Sequence, residues 1–138
     1  MTTAKPINVS RIDHIVLRVK DLDRMIRFYS EILGCPLERG PGDERLAQLR
    51  AGDSLIDLVD IDSELGRLAG DPPAHNAPNM DHVCLLVEPW NEAAIIEELR
   101  AHGVASGDVE SRYGATGFGP SVYFKDPEGN TVELKGRG

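Results

Sequence analysis

Residues 13–19 read Asp-His-Ile-Val-Leu-Arg-Val, and residues 81–87 read Asp-His-Val-Cys-Leu-Leu-Val. Four of the seven positions are identical in the two copies, and the match of Ile15 with Val83 is conservative. Each copy has the alternation of a β-strand, which would place its histidine on one face and the branched apolar residues on the other. The chain is therefore predicted to use one structural unit twice.

The segments downstream of the two copies also correspond. Asp21 can cap a helix that Gly34 ends, and Asn91 can cap a helix that Gly103 ends. Short strand-like runs follow each helix, at 35–39, 45–50 and 54–61 in the first half and at 104–110, 120–125 and 130–135 in the second. The predicted fold class is α+β, built from two βαβββ modules.

The two modules are predicted to form a single domain over residues 11–138, after an N-terminal extension over 1–10. Module one spans 11–62, a linker spans 63–80, and module two spans 81–138. The linker is rich in proline and glycine, which predicts neither a strand nor a regular helix there. Each module is too short to bury a core alone, so it must share a buried surface with the other module or with a second chain.

The composition excludes several classes of partner. The chain has 138 residues, 15 lysines and arginines against 23 acidic residues, and a net charge of −8. Without a basic cluster, neither nucleic acid nor an anionic membrane surface is an expected partner. No apolar run approaches the roughly 20 residues of a membrane span, and the first ten residues lack the apolar stretch of a signal peptide. We expect a cytoplasmic protein with a small-molecule partner and with Cys35 and Cys84 as free thiols.

Two histidines and two carboxylates occupy repeated positions. His14 and His82 lie opposite the apolar faces of their predicted strands, while Asp57 and Glu133 each stand between branched apolar residues. A carboxylate in such a strand is costly to bury unless it is paired or bound to a metal. This set predicts a mixed nitrogen and oxygen site for a divalent transition metal such as Zn, Ni, Co, Mn or Fe.

The residues leave some of these assignments open. A single strand histidine is more often hydrogen-bonded than metal-ligating, so the repetition carries the prediction. Asp57 is either a ligand or one of several carboxylates at the rim. His75 and His102, in the linker and at a helix end, are interpreted as structural or exposed.

The pattern resembles the vicinal oxygen chelate superfamily, also called the glyoxalase/bleomycin-resistance/dioxygenase superfamily. The paired modules, the two histidines and the closing run from Tyr123 to Glu133 carry the resemblance, which covers residues 11–135. It implies a curved, partly open mixed sheet barrel around a metal cavity. It also implies His14, His82 and Glu133 as metal ligands, Asp57 as the fourth, and a homodimer with sites shared between chains.

Within this superfamily, residues 14–29 resemble the opening of glyoxalase I. That resemblance implies a metal-dependent lyase or isomerase acting on a small substrate with vicinal oxygens, among them glutathione or other thiol adducts. The metal would stabilise an enediolate-like intermediate while Glu133 or Asp57 abstracts the proton. Ser121, Tyr123 and Arg18 are the predicted substrate-binding residues, with a solvated edge arginine as the alternative for Arg18.

Two alternative functions remain open at this point. An extradiol dioxygenase-like Fe(II) enzyme would keep a catalytic histidine where this chain has Gly114 to Thr116, although Tyr123 is retained. A non-catalytic protein of the bleomycin-resistance type would sequester a ligand or antibiotic in the same cavity. Such a protein does not need two histidines and a glutamate retained together.

Overall fold

The computed structural model describes residues 6–74 and 76–137, so His75 lies outside the described residues. Residues 6–13, which include the described part of the predicted extension, have no regular secondary structure and are exposed. No helix within the described ranges is long and apolar enough to cross a membrane.

The first module is a four-stranded sheet with one helix on its apolar face. Its elements are β1 (His14–Val19), α1 (Leu22–Arg27), β2 (Leu37–Arg39), β3 (Leu46–Ala51) and β4 (Ser54–Asp60). The helix begins where Asp21 accepts a hydrogen bond from the Arg24 N–H, as predicted. It continues as a π-helical turn over Phe28–Ile32. β1 pairs in parallel with β4. β4 pairs in antiparallel fashion with β3, and β3 pairs in the same way with β2.

The linker contains one helical turn, α2 (Glu64–Arg67), where none was predicted. The Ser63 hydroxyl caps this turn by accepting a hydrogen bond from the Gly66 N–H. Gly66 also packs so closely on the backbone of Asp60 that a larger residue would collide with it. The expectation of a linker without regular helix was wrong here because a local cap and a glycine permit a single turn.

The second module repeats the first. Its elements are β5 (His82–Leu86), α3 (Glu92–Ala101), β6 (Glu110–Gly114), β7 (Gly117–Lys125) and β8 (Thr131–Lys135). β5 pairs in parallel with β8. β8 pairs in antiparallel fashion with β7, and β7 pairs in the same way with β6. The strand predicted over 104–110 lies instead over 110–114. Gly117, at φ 87°, completes a tight turn after Ala115 and Thr116, and this turn sets where β6 ends.

The apolar faces of the two sheets pack into one core. Leu17 and Leu58 of the first sheet belong to the same buried cluster as Val122 and Val132 of the second. The Phe28 ring lies 6.3 Å from the Phe124 ring, centroid to centroid. In each sheet, alternation then puts the histidine and the carboxylate on the face away from this core. Two βαβββ modules are confirmed, but within the described residues their two sheets do not close into a barrel.

Candidate metal site

The second sheet brings His82 and Glu133 together. His82 Nε2 lies 3.3 Å from Glu133 Oε1, and the Glu133 side chain is buried. β5 and β8 are neighbouring parallel strands in which Cys84 is the register partner of Glu133, two residues after His82. The structure therefore brings together this predicted histidine and this predicted carboxylate on one polar face.

Ser121 and Arg112 hold the Glu133 carboxylate from behind. The fully buried Ser121 hydroxyl donates a 2.7 Å hydrogen bond to Glu133 Oε2. The same hydroxyl accepts a 2.9 Å hydrogen bond from Arg112 Nη1. Ser121 was predicted to bind substrate, but its proton is directed at Glu133, so this contact positions the carboxylate.

Tyr123 lies beside His82 in the same half-site. The two rings meet edge to face with centroids 5.4 Å apart, and the Arg112 guanidinium lies 4.5 Å from the Tyr123 ring centroid. Burial raises the pKa of the Tyr123 phenol, and the negative charge of Glu133 raises it further. Tyr123 therefore remains a protonated hydrogen-bond donor at neutral pH.

The first sheet forms a second half-site from His14 and Asp57. Val16 is the register partner of Asp57, and His14 lies two residues earlier on the same face. Gln48, on the other neighbouring strand, donates a 3.2 Å hydrogen bond from Nε2 to Asp57 Oδ2. Asp57 is only 3% exposed, and its Oδ1 atom is buried without a hydrogen-bond partner among the described residues.

Each histidine is oriented by the aspartate that precedes it. His14 Nδ1 lies 2.8 Å from Asp13 Oδ2, and His82 Nδ1 lies 2.6 Å from Asp81 Oδ1. Such bonds fix the ring so that the other nitrogen, Nε2, is the one available for a metal. The hydrogen bond that the His14 ring donates to Asp13 raises the pKa of His14, and the charge of Asp57 raises it further.

A single chain holds the two half-sites apart. Among residues 6–74 and 76–137, no group of three or more histidine, cysteine, aspartate or glutamate side chains is arranged to hold a metal ion. The reason is the packing described above: both apolar faces cover one shared core, so each polar face turns outward. The structure brings His82 to Glu133 and His14 to the neighbourhood of Asp57, but does not bring the four together.

The donor set fits a divalent transition metal. Two imidazoles with oriented Nε2 atoms and two buried carboxylates are the nitrogen and oxygen ligands that such ions prefer. The unpartnered Asp57 Oδ1 is the strongest sign, because a buried carboxylate oxygen normally has a hydrogen bond or a cation. Glu133 and His82 are also close enough to share one ion.

Arg18 is engaged with the linker. Its Nη1 donates to the Gly70 carbonyl at 2.9 Å and to the Gly66 carbonyl at 3.4 Å, and its Nη2 donates to the Asp71 carbonyl at 2.6 Å. These contacts hold the guanidinium against the linker, and its role in substrate binding stays a prediction. Among the other histidines, His102 is exposed and lies 3.0 Å from Glu98, as expected for a structural residue.

Sequence reasoning missed four residues that shape the half-sites. Gln48 and Arg112 contact the site only through the register of antiparallel strands, which the sequence pattern does not fix. Asp13 and Asp81 could have been found, because an aspartate precedes the histidine in both copies of the repeat.

The fold is that of paired βαβββ modules, and each sheet carries one histidine and one carboxylate on its polar face. The chain belongs to the glyoxalase/bleomycin resistance protein/dioxygenase superfamily, whose family model matches residues 11–134.

Similar proteins include members with different activities. The virulence protein STM3117 of Salmonella typhimurium is 33% identical over 91% of this chain and 83% of its own length. Its crystal structure superposes with a TM-score of 0.76 at 28% identity, covering 96% of this chain and 100% of that one. Human mitochondrial methylmalonyl-CoA epimerase is 30% identical over 93% of this chain and 74% of its own length. Lactoylglutathione lyase GLX1 of Arabidopsis thaliana is also 30% identical, over 93% of this chain and 44% of its own length.

Proposed function

We propose that this chain is a glyoxalase I-like, divalent-metal-dependent enzyme of the lyase or isomerase type. Its substrate would be a small molecule with two adjacent oxygens, one of them a carbonyl. The observation that carries the proposal is the duplicated pairing of a strand histidine with a buried carboxylate, completed by the unpartnered Asp57 Oδ1. The similarity to a lactoylglutathione lyase and to a methylmalonyl-CoA epimerase supports the same class of chemistry.

The complete site would form between two chains. His14 and Asp57 of one protomer would meet His82 and Glu133 of the partner subunit, giving four ligands. This arrangement accounts for the outward direction of both polar faces and for two half-sites that each hold only one histidine and one carboxylate. A homodimer with two shared sites follows.

The chain's own residues would bind the substrate and move a proton. A divalent ion of Zn, Ni, Co, Mn or Fe, when bound, would polarise the carbonyl and stabilise the charge that develops on the two oxygens. Glu133 or Asp57 would accept the proton next to the carbonyl. Tyr123 would donate a hydrogen bond to a substrate oxygen, while Ser121 keeps Glu133 oriented through its 2.7 Å hydrogen bond.

Metal content tests the site directly. Protein purified without added metal is compared with His14→Ala, Glu133→Ala and a matched control, His102→Ala, by elemental analysis. We expect about one metal ion per chain in the wild type and the control, and a large loss in the two site variants. A wild type without metal and without affinity for added Zn or Ni would contradict the metalloenzyme proposal.

Substrate assays test the reaction class. The hemithioacetal of methylglyoxal and glutathione is followed spectroscopically, and methylmalonyl-CoA is followed by exchange of its α-proton. We expect turnover of at least one substrate with Ni, Zn, Co or Mn. Absence of turnover of both would remove the lyase or isomerase activity, and aerobic catechol cleavage with Fe(II) would support a dioxygenase instead.

A further inference from the structure

A cavity of about 530 Å³ lies between the first sheet and the linker. We call linker residues 63–74 and 76–79 the strap. Val16 of β1 and Val59 of β4 line the cavity from the polar face of the sheet. Leu65, Pro72 and Pro78 line it from the strap. We propose that this cavity binds an aliphatic chain carried by the substrate, next to the two oxygens that reach the metal site.

The cavity adjoins the His14 and Asp57 half-site. Val16 is the register partner of Asp57 and lies two residues from His14 on the same face. A molecule whose oxygens reach these side chains therefore extends over Val16 on its way into the cavity. The proposal rests on the proposed function, because it uses that site to hold the oxygens.

The aliphatic side chains that line the cavity are exposed to solvent. Val16 is 50% exposed and Leu65 is 43% exposed, although both are large aliphatic side chains. The volume lies within the range of about 300 to 1,000 Å³ that is usual for small-molecule sites. An aliphatic group entering here would remove apolar surface from water on both walls, which favours binding.

Apart from Asp71, whose backbone carbonyl accepts from Arg18, the polar side chains of the lining are already engaged. The terminal nitrogens of Arg18 donate to three strap carbonyls. The Asn79 amide accepts from the Arg18 N–H and donates to the Arg18 carbonyl, both at 3.0 Å. These bonds leave the aliphatic and proline side chains, together with Asp71, to make the contacts with a ligand. A hydrocarbon chain fits this lining better than a peptide-like group such as the glutathione part of a thiol adduct.

Arg18 is a positioning residue in this arrangement. Its side chain bonds Gly66, Gly70 and Asp71 in the first half of the strap, while its backbone bonds Asn79 at the end. The backbones of Ala74 and Ala77 also pair with each other. One residue of β1 therefore holds the strap against the sheet through its first half and through its end, next to the cavity.

Alkyl hydroxamates test the proposal on the metal-loaded protein, because a hydroxamate presents two adjacent oxygens and its chain length can be varied. We compare aceto-, butyro- and hexanohydroxamate by calorimetry. Each added methylene should tighten binding by about three- to fourfold until the cavity is full. The readout is the ratio of hexano- to acetohydroxamate affinity, which cancels effects on the metal site itself.

Substitutions in the strap locate the chain. In Leu65→Ala the affinity ratio should fall roughly fivefold, because part of the apolar wall is removed. Leu68→Ala is the matched control: this strap leucine is 78% exposed and lies outside the cavity lining, so the ratio should not change. Arg18→Met should lower the ratio and leave acetohydroxamate binding measurable, as expected for a residue that acts through the strap.

A second measurement separates this proposal from the metal proposal. Hexanamide is added to metal-free protein while the methyl resonances of Val16 and Leu65 are followed by NMR; both should shift, and those of Leu68 should not. The aliphatic site would be overturned, even if metal binds, by a hydroxamate affinity that does not change with chain length. It would also be overturned if the methyl resonances of Val16 and Leu65 do not shift when hexanamide is added. Absence of metal with shifted methyls would overturn the metal proposal and leave the cavity assignment standing.

Discussion

Tyr29 donates a 2.8 Å hydrogen bond to Asp126 across the boundary between the two modules. Both side chains are buried, and Asp126 also accepts hydrogen bonds from the Asn130 side chain and from backbone N–H groups of its own turn. The turn over 126–130 therefore does more than connect β7 to β8. It fixes the first module's helix against the second sheet, and this contact helps direct the two polar faces away from each other.

Removal of the Tyr29 hydroxyl should destabilise the fold. In Tyr29→Phe the Asp126 carboxylate loses one donor in a buried setting, and hydrogen bonds to charged groups contribute about 1.5 to 3 kcal/mol. We expect the free energy of unfolding to fall by about that amount, measured by urea denaturation. Tyr113→Phe is the control, because Tyr113 is exposed and its loss should change stability by less than about 0.5 kcal/mol. If the two substitutions lower the free energy of unfolding by the same small amount, the hydrogen bond between the modules does not stabilise the fold.

Mixed dimers should recover a site that both parent variants lack. If the site is shared, a His14→Ala chain paired with a His82→Ala chain contains one site with both histidines intact and one site with neither. Refolding the two variants together should restore metal binding to up to about one quarter of the wild-type level, since half of the dimers are mixed. Elemental analysis after co-refolding measures this recovery.

The control for this experiment is a mixture of His14→Ala with Asp57→Asn. Both substitutions affect the same half-site, so each site of that mixed dimer still carries one substitution and the full ligand set is not regenerated. Recovery in neither mixture, or in both equally, would contradict a site shared between chains.

The repeat in the sequence was enough to predict the modules and the repeated positions of two histidines and two carboxylates. Strand alternation put each histidine on the face opposite the apolar residues, but it did not pair a particular histidine with a particular carboxylate. It could not predict which faces would pack together, since Leu17 and Val132 are equally suited to either partner. The contacts of Gln48 and Arg112 also escaped prediction, because they depend on hairpin register. The strand predicted over 104–110 was misplaced because the turn at Gly117 sets where β6 ends.

His14 should titrate above its ordinary value in the metal-free protein. The hydrogen bond to Asp13 and the charge of Asp57 favour the protonated ring and raise its pKa above 6.5. The stabilisation they provide is therefore fully present below pH 6.5 and is lost as the pH rises through the raised pKa. Metal must compete with this proton, so metal affinity should weaken as the pH falls through the same range. NMR titration should show a lower midpoint in Asp13→Asn and an unchanged one in the control Asp53→Asn.

Cys84 should react slowly with thiol reagents although it lies on the polar face. Burial raises the pKa of its thiol to about 11, and the negative charge of Glu133 contributes to the rise. At pH 8 only about one molecule in a thousand would carry the reactive thiolate. The alkylation rate of metal-free protein should therefore keep rising beyond pH 9. In Glu133→Gln the charge is removed while the side-chain size is kept, so the rate at pH 8 should increase several-fold. The alkylation rate of Cys84→Ser reports the contribution of the buried Cys35. If the alkylation rate of the wild type has its pH midpoint near 8.5, burial and Glu133 do not raise the pKa of Cys84.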